Sequence, residues 1–382
     1  MVARSGVGRT EPQIVVFPER AEREVWQLNS PPPLNSTPDA LARTYARSVI
    51  YGSLAQQRVP DAAQYVSTAL VSRDMLAISR AHGHDKLQYW GFSYGTILGA
   101  TFAAMFPDNV GRLIIDGVAD APDYYKAQWS INLRDTDATL RWFTDACAEA
   151  GPEECALYED SKDKVAARVD HLFAKLKKNP IAVPLPKDSN EASDYGIVDY
   201  GLVRGIVFQW LYKPYNSGSS TNRTMSASKL ANILAAADNG DGLPAWNAQK
   251  AGLPSLKCEC PGAPKAAPLG DAHLAIACTD GEPVADTLEE LQEHFNAMSK
   301  YSSFADLWAL REQCAYVHLD ISSSQNDVHD FCRGWNIRPK ERFAGKYRHW
   351  QHNLFHAQQC CQVPLLATLA SLCLSSAILL IR

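Results

Sequence analysis

At 382 residues, with 46% hydrophobic and 21% charged residues, the chain has the composition of a folded globular protein, long enough for one large domain or a core with a cap. Disordered and collagen-like classes are excluded on the same composition. A formal net charge of −5, with no block of Lys and Arg interleaved with aromatics, gives no electrostatic footprint for nucleic acid and excludes that partner class.

In chain order, residues 6–38 are rich in Gly, Pro, Ser and Asn and read mostly as loop, with a short β-like run Ile14-Val15-Val16-Phe17. Residues 1–18 have charges among their apolar residues and no apolar h-region, so no signal peptide is expected. Thr37-Pro38-Asp39 is an N-cap followed by apolar residues at helical spacing, which predicts a helix over residues 38–57. A second amphipathic helix is expected to start near Asp61 and run through Tyr65, Ala69, Met75 and Ile78 to the stop at His82-Gly83-His84. Then come a β-prone run over residues 86–90, an Ala-rich helix over residues 96–106 ended by Pro107, and an apolar run over residues 110–118. The last, centred on Leu113-Ile114-Ile115, has the character of a buried parallel strand. Strand, helix and strand of this size make one βαβ unit. Residues 120–330 read as amphipathic helices, among them 136–150, 161–178 and 286–299, and form a helical cap; residues 254–270 mark a surface loop within it.

Ten cysteines, scattered rather than set in CxxC pairs, point to disulfides more than to zinc, with Cys147 and Cys155 as the favoured local pair. Sequons at Asn35-Ser36-Thr37 and Asn222-Arg223-Thr224 would be used only in the secretory pathway, so cysteine usage and N-terminus point in opposite directions and localisation stays open.

The chemistry-bearing motif is Gly91-Phe92-Ser93-Tyr94-Gly95, between the predicted strand and the predicted helix. A serine hydroxyl is a poor nucleophile and must be presented on a tight turn where a base can take its proton and backbone amides can hold the oxyanion. In this nucleophile elbow Ser93 is the candidate nucleophile, Gly91 and Gly95 leave room for the turn, and the Tyr94 amide is a candidate oxyanion donor. The bland alternative is a Ser in a Gly-rich turn; the strand before and helix after favour the elbow.

The run Leu87-Gln88-Tyr89-Trp90-Gly91-Phe92-Ser93-Tyr94-Gly95-Thr96, with Ala103-Ala104-Met105-Phe106-Pro107 and Ile115-Asp116-Gly117-Val118, resembles the fungal and actinobacterial tripeptidyl-aminopeptidase-like hydrolases, relatives of the proline iminopeptidases. The resemblance extends over about residues 6–345. Gly6-Val7-Gly8-Arg9 is similar to the family's loop after an early core strand, and Cys332-Arg333-Gly334-Trp335 and Phe343-Ala344-Gly345 are similar to its later segments. It implies an α/β fold: a partial α/β-hydrolase core over residues 1–119, mostly parallel in its sheet, a large helical cap over 120–330, a return toward the core over 331–345, and a divergent tail over 346–382. It further implies a serine peptidase acting on peptide, ester or amide bonds through an acyl-enzyme on Ser93, without a cofactor. Measured against that family the chain reads as truncated at both ends, without the loop that gives the second oxyanion amide and without the acid and histidine loops.

The order in such enzymes is Ser, then Asp or Glu, then His, and no convincing downstream pair is visible. Asp116 ends the strand after the elbow but belongs, in this family, to the Asp-Gly-Val turn. His318, His329, His349, His352 and His356 could serve as bases only if the tail folds back. His352, His356 and Cys360, at helical spacing, read as an accidental cluster rather than a zinc site. Residues 363–381 approach a bilayer span, but Pro364, Thr368 and three serines weaken it, so membrane contact through this tail is the lesser reading beside an exposed apolar segment. The acidic run 280–293 reads as a solvated helix face rather than a site for a substrate amine. The non-catalytic alternative is a remodelled relative that keeps cap and elbow and acts as a binding or membrane-associated protein.

Overall fold

The computed structural model describes residues 7, 10–188, 194–212, 214, 226–250, 269–284, 287–308, 337–345 and 379–381. The β-like run near the start is not a strand. Ile14, Val16 and Phe17 are buried as expected of a strand face. The backbone of Val16, however, is met by side chains: its N–H donates to Asp271 Oδ2 at 2.9 Å, and its carbonyl accepts from Arg58 Nη1 at 2.8 Å. A buried peptide group needs a partner, and here charged side chains replace a neighbouring strand. The loop reading of residues 6–38 also needs correcting, because α1 (Arg20–Leu28) forms within it. Its one apolar anchor is Trp26, 5.1 Å from Phe17, while Val25 and Leu28 are exposed, so a short, mostly polar segment hides the helix.

Helix α2 (Ala40–Arg58) buries Leu41, Thr44, Ser48, Tyr51 and Ala55, a stripe at helical spacing. The single helix expected from Asp61 to His82 is two: α3 (Pro60–Ala63) and α4 (Thr68–Ala81). Ser67 restarts the chain as an N-cap, its hydroxyl accepting from Leu70 N–H, a contact of about 1 kcal/mol.

Strand β1 (Leu87–Phe92), helix α5 (Tyr94–Met105) and strand β2 (Val110–Asp116) form the βαβ unit, with β1 and β2 parallel and Tyr89 paired with Leu113. Helix α5 covers one face of the sheet, where Ala103, Leu113 and Ile115 pack together with Tyr89. Its other side packs on α4 through Leu98, Phe102, Val71 and Met75. Further on come α6 (Ala121–Tyr125), α7 (Thr136–Ala150), α8 (Lys162–Lys178), β3 (Ile181–Val183), β4 (Gly196–Val198), α9 (Tyr200–Leu211), α10 (Ala227–Asp238), α11 (Leu243–Gln249), α12 (Leu269–Asp280) and α13 (Leu288–Met298). Residues of α7 to α11 share a core of their own, built on Leu157, Val165, Leu172, Val203, Val207, Leu230 and Leu234, and this is the helical cap. The β3–β4 antiparallel pair corrects the expectation of helices and loops alone in that stretch. Three-residue strands are too short to show a period of two. The Cys147–Cys155 disulfide joins α7 to the loop before α8. Strand β5 (Leu379–Ile381) adds to β2 in antiparallel sense, so among the described residues the main sheet has three strands, one pair parallel and one antiparallel.

Candidate active site

Ser93 stands between β1 and α5 with φ 53° and ψ −122°, a left-handed conformation that costs a non-glycine residue on the order of 1–3 kcal/mol. The surroundings hold it there. Its N–H donates to the Asp116 carbonyl at 3.2 Å, tying the turn to the end of β2. Its carbonyl accepts from both the backbone N–H and the hydroxyl of Thr96, at 2.8 and 2.6 Å, and the Thr96 hydroxyl in turn accepts from Ala119 N–H at 3.0 Å. Space is restricted at both flanking glycines. A Cβ on Gly91 would stand 2.4 Å from the Gly95 carbonyl oxygen, and one on Gly95 would stand 3.2 Å from the Tyr89 hydroxyl, which donates to that same carbonyl at 2.7 Å. The turn is therefore closed at Gly91, which admits no side chain, and tight at Gly95.

Ser93 is exposed and faces a cavity of about 270 Å³ lined by Ile97, Tyr124, Trp129, Ile276 and Trp308, together with Val7, Tyr94, Asn132 and His273. Val7 thus meets the elbow across the cavity. A larger depression of about 460 Å³, lined by Trp26, Arg47 and Asp306, includes no residue of the elbow.

Behind the cavity lies a polar cluster. Asp280, fully buried at the end of α12, accepts from Thr68 N–H at 2.8 Å, the Thr68 hydroxyl at 2.5 Å and the Tyr124 hydroxyl at 2.7 Å. The Thr68 hydroxyl also hydrogen bonds to the Tyr94 hydroxyl. Burial raises the Asp280 carboxyl to about 6, against the opposing pull of the hydrogen bonds from Thr68 and Tyr124. Burial also lifts the Tyr124 phenol well above its ordinary range, with Asp280 adding to it. The acidic run 280–293 thus divides: Asp280 is sealed inside, whereas Glu289, Glu290 and Glu293 lie on the exposed side of α13.

Of the residues singled out in the sequence, Ser93, Tyr94, Gly91 and Gly95 come together at this one turn. Asp116 meets it through its backbone, its carbonyl accepting from Ser93 N–H. His318, His329, His349, His352, His356 and Cys360 lie outside the described residues, as do residues 251–268 and most of 363–381. Among the described residues no cluster of His, Cys, Asp and Glu could hold a metal, and no helix is long and apolar enough to cross a membrane. Sequence reasoning missed His273, and it read Asp280 as part of a solvated acidic face. Both lie in α12, in a stretch where neither residue belongs to a recognisable motif, and only the packing of α12 against the elbow brings them near Ser93.

Residues 28–190 match the α/β hydrolase fold family. The chain is similar to a tripeptidyl aminopeptidase of Streptomyces lividans, 32% identical over 139 residues, which is 36% of this chain and 25% of that protein. It is similar also to the serine protease Hip1 of Mycobacterium tuberculosis, 28% identical over 237 residues, 60% of this chain and 40% of that protein. The chain thus spans between a quarter and two fifths of the length of these curated relatives. The family match gives residues 28–190 the α/β hydrolase fold.

Proposed function

We propose that this chain, with the α/β-hydrolase fold of residues 28–190 as the premise, is a serine hydrolase that cleaves peptide, ester or amide bonds through an acyl-enzyme on Ser93. The observation that carries this reading is the strained Ser93, φ 53°, held between β1 and α5 and open to a cavity. In this reading the Ser93 oxygen attacks the substrate carbonyl carbon, and the Tyr94 N–H, at the start of α5, donates to the oxygen that becomes negative. Oriented backbone donors of this kind need no reorganisation as charge develops. The Tyr94 side chain, tied to Thr68 and through it to Asp280, keeps that first turn of α5 in place. Ile97, Trp129, Ile276 and Trp308 give the cavity an apolar wall, which suits an uncharged acyl group small enough for about 270 Å³.

The test is hydrolysis of short-chain p-nitrophenyl esters and of a tripeptidyl p-nitroanilide by the purified chain beside Ser93→Ala. Turnover that disappears in the variant supports the reading. Equal rates in both proteins would reject it.

A further inference from the structure

We infer that His273 is the general base for Ser93, an assignment that rests on the serine-hydrolase reading above. Both residues line the same cavity of about 270 Å³, although they are far apart in sequence. Their placement follows from two helices in contact. Ala277 of α12 belongs to the same apolar cluster as Ile97 of α5, with Tyr94 packed against it. Ser93 precedes Ile97 by one helical turn, and His273 precedes Ala277 by one helical turn, about 6 Å along the axis. His273, Ile276, Ala277 and Asp280 are spaced i, i+3, i+4 and i+7, so they share one face of α12, and the first three line the cavity. Asp280 fixes that face: its carboxylate is held by Thr68 at the start of α4 and by Tyr124, and its carbonyl accepts from Arg342 Nε at 2.6 Å. The helix is thereby prevented from turning His273 away from the elbow.

The chemistry singles out the same residue. The other titratable side chains on the cavity wall are Tyr94 and Tyr124, and burial keeps the Tyr124 phenol protonated. Among the described lining residues, His273 is the side chain whose ordinary range lets it accept a proton near neutrality. It is exposed, so its proton exchanges with solvent between steps. In acylation the Ser93 O–H bond breaks as the oxygen–carbon bond forms. The proton passes to the His273 ring, and the carbonyl electron pair moves to oxygen. Collapse of the tetrahedral species expels the leaving amine or alcohol, which takes that proton from His273. Water then attacks the acyl-enzyme, giving a proton to His273, which returns it to Ser93 as the acid departs. No oxidant or cofactor enters the balance.

The experiment measures the rate of Ser93 labelling by a fluorophosphonate probe in the full chain, in His273→Ala, in His273→Gln, and in His273→Ala with added imidazole. Removing a general base is expected to slow labelling by roughly 10²–10⁴-fold. Both variants are compared as folded protein, and imidazole should restore part of the rate to His273→Ala, a recovery that a structural role would not give. Labelling of either folded variant at the rate of the unaltered chain would overturn this assignment alone. No labelling of the unaltered chain would overturn the serine-hydrolase reading and this assignment with it.

Discussion

Asp280, the last residue of α12, and Thr68, the first residue of α4, are joined twice, by the Thr68 N–H to Oδ1 at 2.8 Å and by the Thr68 hydroxyl to Oδ2 at 2.5 Å. The pair closes α12 onto the helix that packs behind the elbow. It also makes stability depend on pH. Burial raises the Asp280 carboxyl from 3.8 to about 6, so its contribution is complete below about 4, where the group is protonated in both states, and is lost as pH rises through 6. The loss is on the order of 3 kcal/mol for a shift of this size. Asp271, raised for the same reason, adds to the slope. Asp280→Asn has no charge to bury, so its stability should fall less between about pH 4 and pH 7 than that of the unaltered chain. Urea midpoints across that range measure the difference. Equal slopes in both proteins would contradict it.

Gly91 admits no side chain, because a Cβ there meets the Gly95 carbonyl oxygen and the Tyr89 ring, each at 2.4 Å. Gly91→Ala should cost about 1–3 kcal/mol, the usual range for overpacking, and displace Ser93 enough to abolish labelling. Thermal unfolding and probe labelling of the same sample check both expectations. An unshifted melting temperature with labelling retained would mean that the turn is looser than described.

The cap holds a buried ion pair, Arg204 with Asp306, 3.4 Å apart, with side-chain exposures of 3% and 0%. Tyr200 donates to Asp306 at 2.5 Å, and the Arg204 guanidinium lies 3.8 Å from the centre of the Phe304 ring. Removing one partner leaves the other charged and dry, so Asp306→Ala should cost about 3–5 kcal/mol. Replacing Arg204 and Asp306 together with apolar residues should cost less than Asp306→Ala alone, and chemical denaturation of the two variants gives the comparison.

The Cys147–Cys155 disulfide closes a short loop, eight residues apart in sequence. Chain-entropy reasoning gives it about 2–3 kcal/mol. Cys147→Ser with Cys155→Ser should lower cap stability by that amount under oxidising conditions, and should not differ from the unaltered chain once the latter is fully reduced.

The βαβ unit was legible because β1 is a β-prone run, α5 is Ala-rich and β2 is a buried apolar run, all punctuated by Gly, Pro and a recognisable motif. Ser93, Tyr94, Gly91 and Gly95 were legible for the same reason. The break between α3 and α4 was not, since the apolar spacing runs through it and only the capping geometry at Ser67 reveals the restart. Helix α1 stayed hidden because it is polar on most sides, and the run 14–17 misled because buried apolar residues look alike in a strand and in a coil satisfied by Arg58 and Asp271. His273 carries no local signal, and Asp280 looks like the start of a solvated acidic run; their meaning comes from which helix packs on which.

The most direct test of the account is to treat the purified chain with a fluorophosphonate probe and locate the adduct by peptide mass spectrometry. A single adduct is expected, on the peptide carrying Ser93, absent from Ser93→Ala. Folded protein that takes up no probe, or an adduct that persists in Ser93→Ala, would contradict it.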